Sequence, residues 1–257
     1  MAATVATGAL LSVVGNANAQ GFGFAFDNEV SNDTDPTEDV FLESVTIGGE
    51  IITDFSFVSG VEIVENDAFL GGNSGGASAD KGVNSTTGVS VEDATADDIL
   101  TNLGNNNLNN IIDTEDTGSF VIDLTFEKII DNLLIWERGL NSDLGIQAVD
   151  AQGNLVGNRL VIESDQWQDA GFDILTKELQ AESVPAQDVG SFGINIIDDL
   201  GVQGNRVQTI RFFSEEAFNG PDWKFVGTEN KDIPEPAFIL GLGMLGGAFG
   251  MLKRRVA

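Results

Sequence analysis

Carboxylates are the most abundant groups in this sequence that could do chemistry. Asp33, Asp35, Glu38 and Asp39 fall close together in one polar stretch, and Ca²⁺ prefers hard oxygen ligands of this kind. The spacing is not that of an EF-hand, because the stretch lacks the sharp-turn Gly and the closing bidentate Glu. Calcium is the only cofactor that the sequence suggests, with these four residues as candidate ligands. The alternative is a solvated acidic loop without a metal.

Acid–base catalysis by a pair of carboxyl groups is the second chemistry that the composition allows. Glu137 follows a Trp, and Glu215 and Glu216 follow two Phe residues, so a carboxyl group in a less polar pocket could arise there. A glycosidase needs two such groups about 5–9.5 Å apart, and nothing in the spacing selects a pair. We therefore expect a protein that is not an enzyme, with a secreted polysaccharide-active enzyme as the least favoured alternative.

The residue types that are absent exclude several functional classes. The chain has no His and no Cys, which excludes a Ser-His-Asp triad, a thiol nucleophile, a disulfide and a zinc site of imidazole or thiolate ligands. The formal net charge of −29 repels phosphate backbones, so nucleic acid is not expected as a partner.

Aromatic residues could instead bind a glycan by stacking. Trp167 has polar neighbours on both sides and is expected to be exposed, which makes it the candidate glycan contact. Trp136 and Trp223 adjoin apolar stretches and are expected in the core. Arg138 is expected to have a structural role, in a buried ion pair or as a brace for the loop that follows it.

The elements that must position these residues are mostly strands. Residues 21–26 alternate small and aromatic side chains with a period of two, and many short apolar stretches follow with turn residues between them. This pattern predicts a mainly all-β fold, an antiparallel β-sandwich or jelly roll. One short helix is predicted, from a capping box at Thr95 and Asp98 to Leu103, with Gly104 as its stop. Residues 66–88 are rich in Gly, Asn and Ser and predict a loop.

The N-terminal residues indicate export. A short apolar run is followed by Ala17, Asn18 and Ala19, an A-x-A cleavage pattern, so residues 1–19 are predicted to be a signal peptide. No Lys or Arg precedes the apolar run, and we expect the true start to lie upstream of Met1.

The C-terminal residues 233–257 have three parts with separate physical meanings. Pro234, Glu235 and Pro236 form an extended segment, because proline fixes φ and withholds an amide donor. Residues 237–252 carry no charge and would form a helix of about 24 Å, slightly shorter than a bilayer core. The basic end, Lys253, Arg254 and Arg255, favours the cytoplasmic side. The pattern predicts a transmembrane helix with the preceding chain outside the cytoplasm.

This combination resembles the PEP-CTERM sorting signal of exosortase substrates in Gram-negative bacteria. The resemblance implies a transient anchor in the inner membrane, processing by exosortase near Pro234, Glu235 and Pro236, and delivery to the cell surface or the extracellular matrix of a biofilm. An ordinary C-terminal anchor helix is the alternative.

A fainter resemblance concerns the body of the chain. Residues 134–139, 146–154 and 219–227 look like parts of a galactose-binding-like jelly-roll domain. It implies a fold more than a ligand.

Together these observations predict a signal peptide at 1–19, a β-sandwich extracellular domain at 20–232 and a sorting signal at 233–257. The expected function is that of a non-catalytic surface or matrix protein. The alternative from another class is a lectin-like module that binds extracellular polysaccharide, with or without calcium.

Overall fold

In a computed structural model, the chain folds into three β-sheets with two short helices. The structure describes residues 17–18, 20–28, 35–202 and 207–229. The strands are β1 (Ala17–Asn18), β2 (Ala25–Asn28), β3 (Leu42–Ile47), β4 (Glu50–Ile52), β5 (Phe55–Ser56), β6 (Val58–Asn66), β7 (Ala77–Lys81), β8 (Asn110–Thr114), β9 (Phe120–Ile130), β10 (Asn132–Arg138), β11 (Leu144–Val149), β12 (Leu155–Ile162), β13 (Gln168–Ile174), β14 (Gln187–Asn195), β15 (Val207–Ser214) and β16 (Trp223–Thr228). The helices are α1 (Ala96–Leu103) and α2 (Lys177–Glu182), with 3-10 turns at Ser164–Gln166 and Glu216–Phe218.

Two large sheets form a sandwich, as predicted. The first sheet has the strand order β1-β12-β11-β15-β9-β6, and the second has the order β13-β14-β10-β16-β8-β7, with β5 also paired to β16. All neighbouring strands are antiparallel except β1 and β12. The last strand within the described residues, β16, therefore lies in the interior of the second sheet.

The main core lies between these two sheets. Phe212 of the first sheet stacks on Trp223 of the second at 5.0 Å between ring centroids and on Phe225 at 4.4 Å, with the rings within 7° of parallel. All three rings are fully buried. Stacked aromatic pairs of this kind add to the free energy of burial, so they tie the two sheets together in a chain without disulfides.

A third sheet, of strand order β2-β3-β4, covers the outer face of the second sheet. Phe24 and Phe26 meet Trp136 edge-on at 5.4 and 5.5 Å, which explains the alternation predicted in residues 21–26. Because the second sheet is covered on both faces, every residue of β10 is buried. A strand buried on both faces is apolar without alternation.

The predicted helix is confirmed, and a second one was not predicted. The hydroxyl of Thr95 accepts a hydrogen bond from the backbone N–H of Asp98, whose carboxylate accepts from the N–H of Thr95, and Gly104 ends α1. The expectation of a single helix is wrong. The second helix, α2, buries only Leu179, so it lacks the apolar periodicity that identifies a helix.

The prediction of a continuous loop at 66–88 is also wrong, because β7 lies within it. Its inward residues, Ala77 and Ala79, are small, and their strand propensity is low. They are held in the sheet by pairing with β8.

Neither helix in these ranges is long and apolar enough to cross a membrane. The predicted sorting signal at 233–257 and positions 1–16 and 19 of the predicted signal peptide lie outside the described residues.

Candidate functional site: an acidic pocket around Arg138

A cluster of buried charged residues lies at one end of the second sheet, on its outer face. Arg138 ends β10, Asp113 lies on β8, Asp80 on β7, and Asp222 immediately precedes β16. Helix α2 covers the cluster and contributes Glu178. The ends of four neighbouring strands and one helix therefore converge on a single guanidinium group.

Arg138 makes ion pairs on two sides. Its Nη2 lies 2.6 Å from Oδ2 of Asp222 and 3.0 Å from Oδ2 of Asp113, and its Nε donates to Asp222 at 3.1 Å. Asp80 is more distant, at 3.9 Å from Nη1. Arg138 is 5 % exposed, so these charges interact with little screening by water. The predicted buried ion pair of Arg138 is confirmed, although its partners come from distant parts of the sequence.

The N-terminus of α2 closes the cluster by hydrogen bonds. Thr176, which precedes α2, accepts from Nη1 of Arg138 at 2.6 Å. The backbone N–H of Glu178 donates to Oδ2 of Asp80 at 3.2 Å, and Ser90 donates to the other oxygen of Asp80 at 3.0 Å. The position of α2 is therefore linked to the ionisation of the carboxyl groups beneath it.

The cluster contains more carboxyl groups than positive charges. Some of these carboxyl groups stay protonated, which reduces the excess negative charge. Burial, the hydrogen bond to Asp113 and the negative charges of Asp113 and Asp222 raise the pKa of Glu178 to about 11. Burial opposes ionisation of Asp113, but the Arg138 guanidinium and hydrogen bonds from its neighbours outweigh it and lower the pKa of Asp113 below its usual value. Glu178 thus keeps its proton at neutral pH and donates it to an ionised Asp113.

A pocket of about 180 Å³ opens beside this cluster. Its lining includes Glu115, Asp116 and Glu182 together with Arg138 and Asp113. Partial burial and the charge of Asp113 raise the pKa of Glu115 to about 7. The pocket is therefore negative and becomes more so as the pH passes through neutrality.

Three carboxyl groups of the cluster beside this pocket could hold a cation. Asp80, Asp113 and Glu178 each offer a carboxylate oxygen, and these oxygens lie within 4.8 Å of one another. Hard oxygen ligands suit Ca²⁺ or Mg²⁺. However, the guanidinium of Arg138 already provides a positive charge 3.0 Å from Asp113, so the geometry is that of an arginine-centred proton-sharing network.

Glu137, a candidate for acid–base chemistry, points away from this pocket. It is fully buried, and its Oε2 accepts a hydrogen bond from the N–H of Leu140 at 2.7 Å. Burial raises its pKa to about 8 despite that bond. Its role in the structure is to brace the turn after β10.

The predicted calcium loop is present in part. Asp33 lies outside the described residues. Asp35 accepts hydrogen bonds from Thr37, and Glu38 accepts one from Asn84. The carboxylate of Asp39 accepts from three neighbours, Ser85, Thr86 and Asn107, so much of its acceptor capacity is used within the protein. Calcium binding here stays a prediction.

The expected exposure of Trp167 is wrong. The side chain is 7 % exposed, its Nε1–H donates to the backbone carbonyl of Ser142 at 2.8 Å, and its ring meets Phe192 edge-on. The polar neighbours Gln166 and Gln168 misled the prediction, because they belong to a 3-10 turn and an edge strand that fold the ring inward. The core positions expected for Trp136 and Trp223 are confirmed.

Few features of the sequence indicated the acidic pocket. Asp80 falls in the segment predicted as a loop, and Glu178 falls in the helix that was not predicted. The one usable signal was Arg138 two positions after the apolar residues 133–136, since a buried arginine requires carboxylate partners.

No protein-family model, curated protein or solved structure matches this chain. The sorting motif, Pro234, Glu235 and Pro236 with Lys253, Arg254 and Arg255, lies outside the described residues.

Proposed function

We propose that this chain is an exported surface or matrix protein with a non-catalytic body, and that its C-terminal signal is processed by an exosortase-type enzyme. The observation that carries the proposal is the C-terminal order of Pro234, Glu235 and Pro236, an uncharged segment and a basic end. The proposal includes a jelly-roll type of body and a transient inner-membrane helix formed by residues 237–252.

The end of the folded body supports processing close to it. Strand β16 ends at Thr228 and is paired along one side with β10, so the folded sandwich extends to that residue. Pro234 follows six positions later, a reach of at most about 22 Å for an extended chain. A membrane enzyme acting at this motif would need no unfolding of the sandwich.

The body's own stabilisation also fits an extracellular protein. Its chain has no cysteine, so it needs neither disulfide formation nor protection of thiols. Stability comes from the aromatic core between the sheets and from buried ion pairs such as that of Arg138. The strongly acidic composition favours solubility, particularly where salt screens self-repulsion.

A non-catalytic role is supported by the state of the candidate carboxylates. Glu137 is fully buried, and Glu215 is paired with Arg159. A general acid must reach its substrate, which Glu137 cannot do without unfolding of its turn.

The lectin-like function remains the second candidate. One observation favours it, a pocket of about 510 Å³ with polar and apolar lining residues on the outer face of the first sheet.

The test is the intact mass of the protein in each cell fraction of its native host. A species that begins near Gln20 and ends near Pro236, found at the surface or in the medium, is the expected result. A double variant, Pro234→Ala with Pro236→Ala, should accumulate at full length in the inner membrane. The matched control is Pro221→Ala, which changes a proline in the body and should be processed normally.

Two results would contradict the proposal in different ways. Normal processing of the double variant removes the exosortase route and leaves a plain anchor. Native protein that retains Arg255 in the membrane removes the surface role.

A further inference from the structure

We propose that the outer face of the first sheet carries a binding site for a neutral glycan. The pocket there has a volume of about 510 Å³, within the range of roughly 300–1,000 Å³ that is usual for small-ligand sites. The described residues that form it come from five adjacent strands and the turn after β15. This inference goes beyond export and does not depend on how the tail is processed.

Two arginines in the pocket are held rigidly. The guanidinium of Arg159 lies over the ring of Phe213 at 4.0 Å and pairs with Glu215. Arg211 makes two parallel hydrogen bonds to Asp123, from Nε at 2.6 Å and from Nη2 at 2.8 Å. Because these planar groups are already ordered, a ligand that binds them causes little further loss of side-chain entropy.

A glycine allows this arrangement. Gly145 lies directly across from Phe213 in the pairing of β11 with β15. A Cβ atom at Gly145 would lie 1.9 Å from the Phe213 ring, so any other residue would displace the ring that supports Arg159. Glycine at position 145 therefore leaves room for the Phe213 ring on which the guanidinium of Arg159 stacks.

The pocket offers donors and acceptors side by side. Gln147 is the direct cross-strand neighbour of Arg211, and both supply N–H donors. Glu65 and Glu216 supply acceptors on the same lining, and Leu155, 45 % exposed, supplies an apolar contact. A sugar hydroxyl both donates and accepts, and its ring has apolar faces, so a polyhydroxylated ligand matches this mixture.

Charge selects a neutral ligand over an acidic one. The lining holds three glutamates and two arginines, Asp123 pairs with Arg211, and the whole chain carries −29. An anionic polymer would be repelled before it reached the pocket. A neutral polysaccharide meets no such barrier.

The experiment is affinity electrophoresis of the full-length chain in mild detergent. Native gels contain dextran, galactomannan or xyloglucan as neutral polymers, or polygalacturonate as an anionic one. We expect at least one neutral polymer to retard the protein and polygalacturonate to have no effect. Arg159→Ala and Gln147→Ala should each weaken the retarding association about tenfold, as expected for contacts at the centre of a site.

The matched control is Lys128→Ala. Lys128 is also a half-exposed cation in an ion pair, with Asp54, but it lies outside this pocket, and its loss should leave retardation unchanged. Gln147→Ala keeps the test valid if Arg159→Ala fails to fold, which near-ultraviolet circular dichroism would reveal. The proposal is overturned if no neutral polymer retards the chain, if polygalacturonate alone does, or if folded pocket variants bind as the parent does.

Discussion

A carboxyl oxygen of Glu178 on α2 lies within 4.8 Å of one of Asp113 on β8, and the raised pKa of Glu178 keeps a proton between the two groups. The resulting hydrogen bond joins a helix to the end of an interior strand across more than sixty positions of sequence. It exists only while Glu178 is protonated, which makes the attachment of α2 sensitive to pH.

Stability should therefore fall as the pH rises above the ordinary pKa of a glutamate. The folded-state pKa of Glu178, about 11, lies above its unfolded value of 4.5. Its contribution is complete below pH 4.5 and is lost progressively as the pH rises toward 11. Glu178→Gln keeps a neutral donor, so its free energy of unfolding, measured by urea denaturation from pH 5 to 9, should depend less on pH. Glu43→Gln, an exposed site, should retain the parental dependence. Equal pH dependence in Glu178→Gln and the parent would contradict the shared proton.

Arg138→Met should destabilise the fold strongly at neutral pH. It leaves the buried Asp113 carboxylate without its cation and breaks the hydrogen bonds from Arg138 to Asp222, a loss of about 3–5 kcal/mol. Lys128→Ala, which breaks an exposed pair with Asp54, should cost less than about 1 kcal/mol. Chemical denaturation measures both. A small effect of Arg138→Met would mean that the carboxyl groups take up protons instead, and its stability would then rise at acidic pH.

Phe212→Ala should disrupt the contact between the two large sheets. The ring is fully buried and stacks on both Trp223 and Phe225, so its removal should cost about 3–5 kcal/mol. Leu70→Ala, at a side chain that is 86 % exposed, should change the free energy of unfolding by less than about 0.5 kcal/mol. If the two variants unfold at similar denaturant concentrations, the stacked rings do not hold the sheets together.

Trp167→Phe should affect stability and leave glycan binding unchanged. The change removes the donor to the Ser142 carbonyl and should cost about 1–3 kcal/mol. Affinity electrophoresis with a retarding neutral polymer should give the same mobility as the parent, because Trp167 is buried away from the pocket of Arg159. Lost retardation in a folded variant would restore Trp167 as a ligand contact.

The fold class was predictable because its signals are local. Period-two alternation placed Phe24 and Phe26 on one face, although β2 begins only at Ala25, and the capping box of Thr95 marked α1. The strand containing Ala77 was missed because its small side chains become strand-like only by pairing with β8. Helix α2 was missed because most of its contacts are polar and tertiary.

The candidate sites were less predictable for a related reason. Asp80, Asp113, Glu178 and Asp222 are far apart in sequence, and only the pairing of β7, β8, β10 and β16 brings them to Arg138. Among so many acidic residues, none carries a local mark of burial. The exposure of Trp167 was predicted wrongly for the same reason. The polarity of its sequence neighbours does not reveal that its ring packs inward and donates a hydrogen bond to the Ser142 carbonyl.

The interior position of the last strand has a consequence for the order of folding. Strand β16 lies between β10 and β8, and its Trp223 and Phe225 complete the aromatic stack, so neither the second sheet nor the core can close without it. During synthesis, the sheet formed by the preceding two hundred residues stays incomplete, and apolar surface stays exposed, until β16 has been made. Folding is therefore a late and long-range event, as expected for a topology dominated by distant contacts. The strong negative charge of the chain, which keeps unfinished copies apart, protects the protein during that interval.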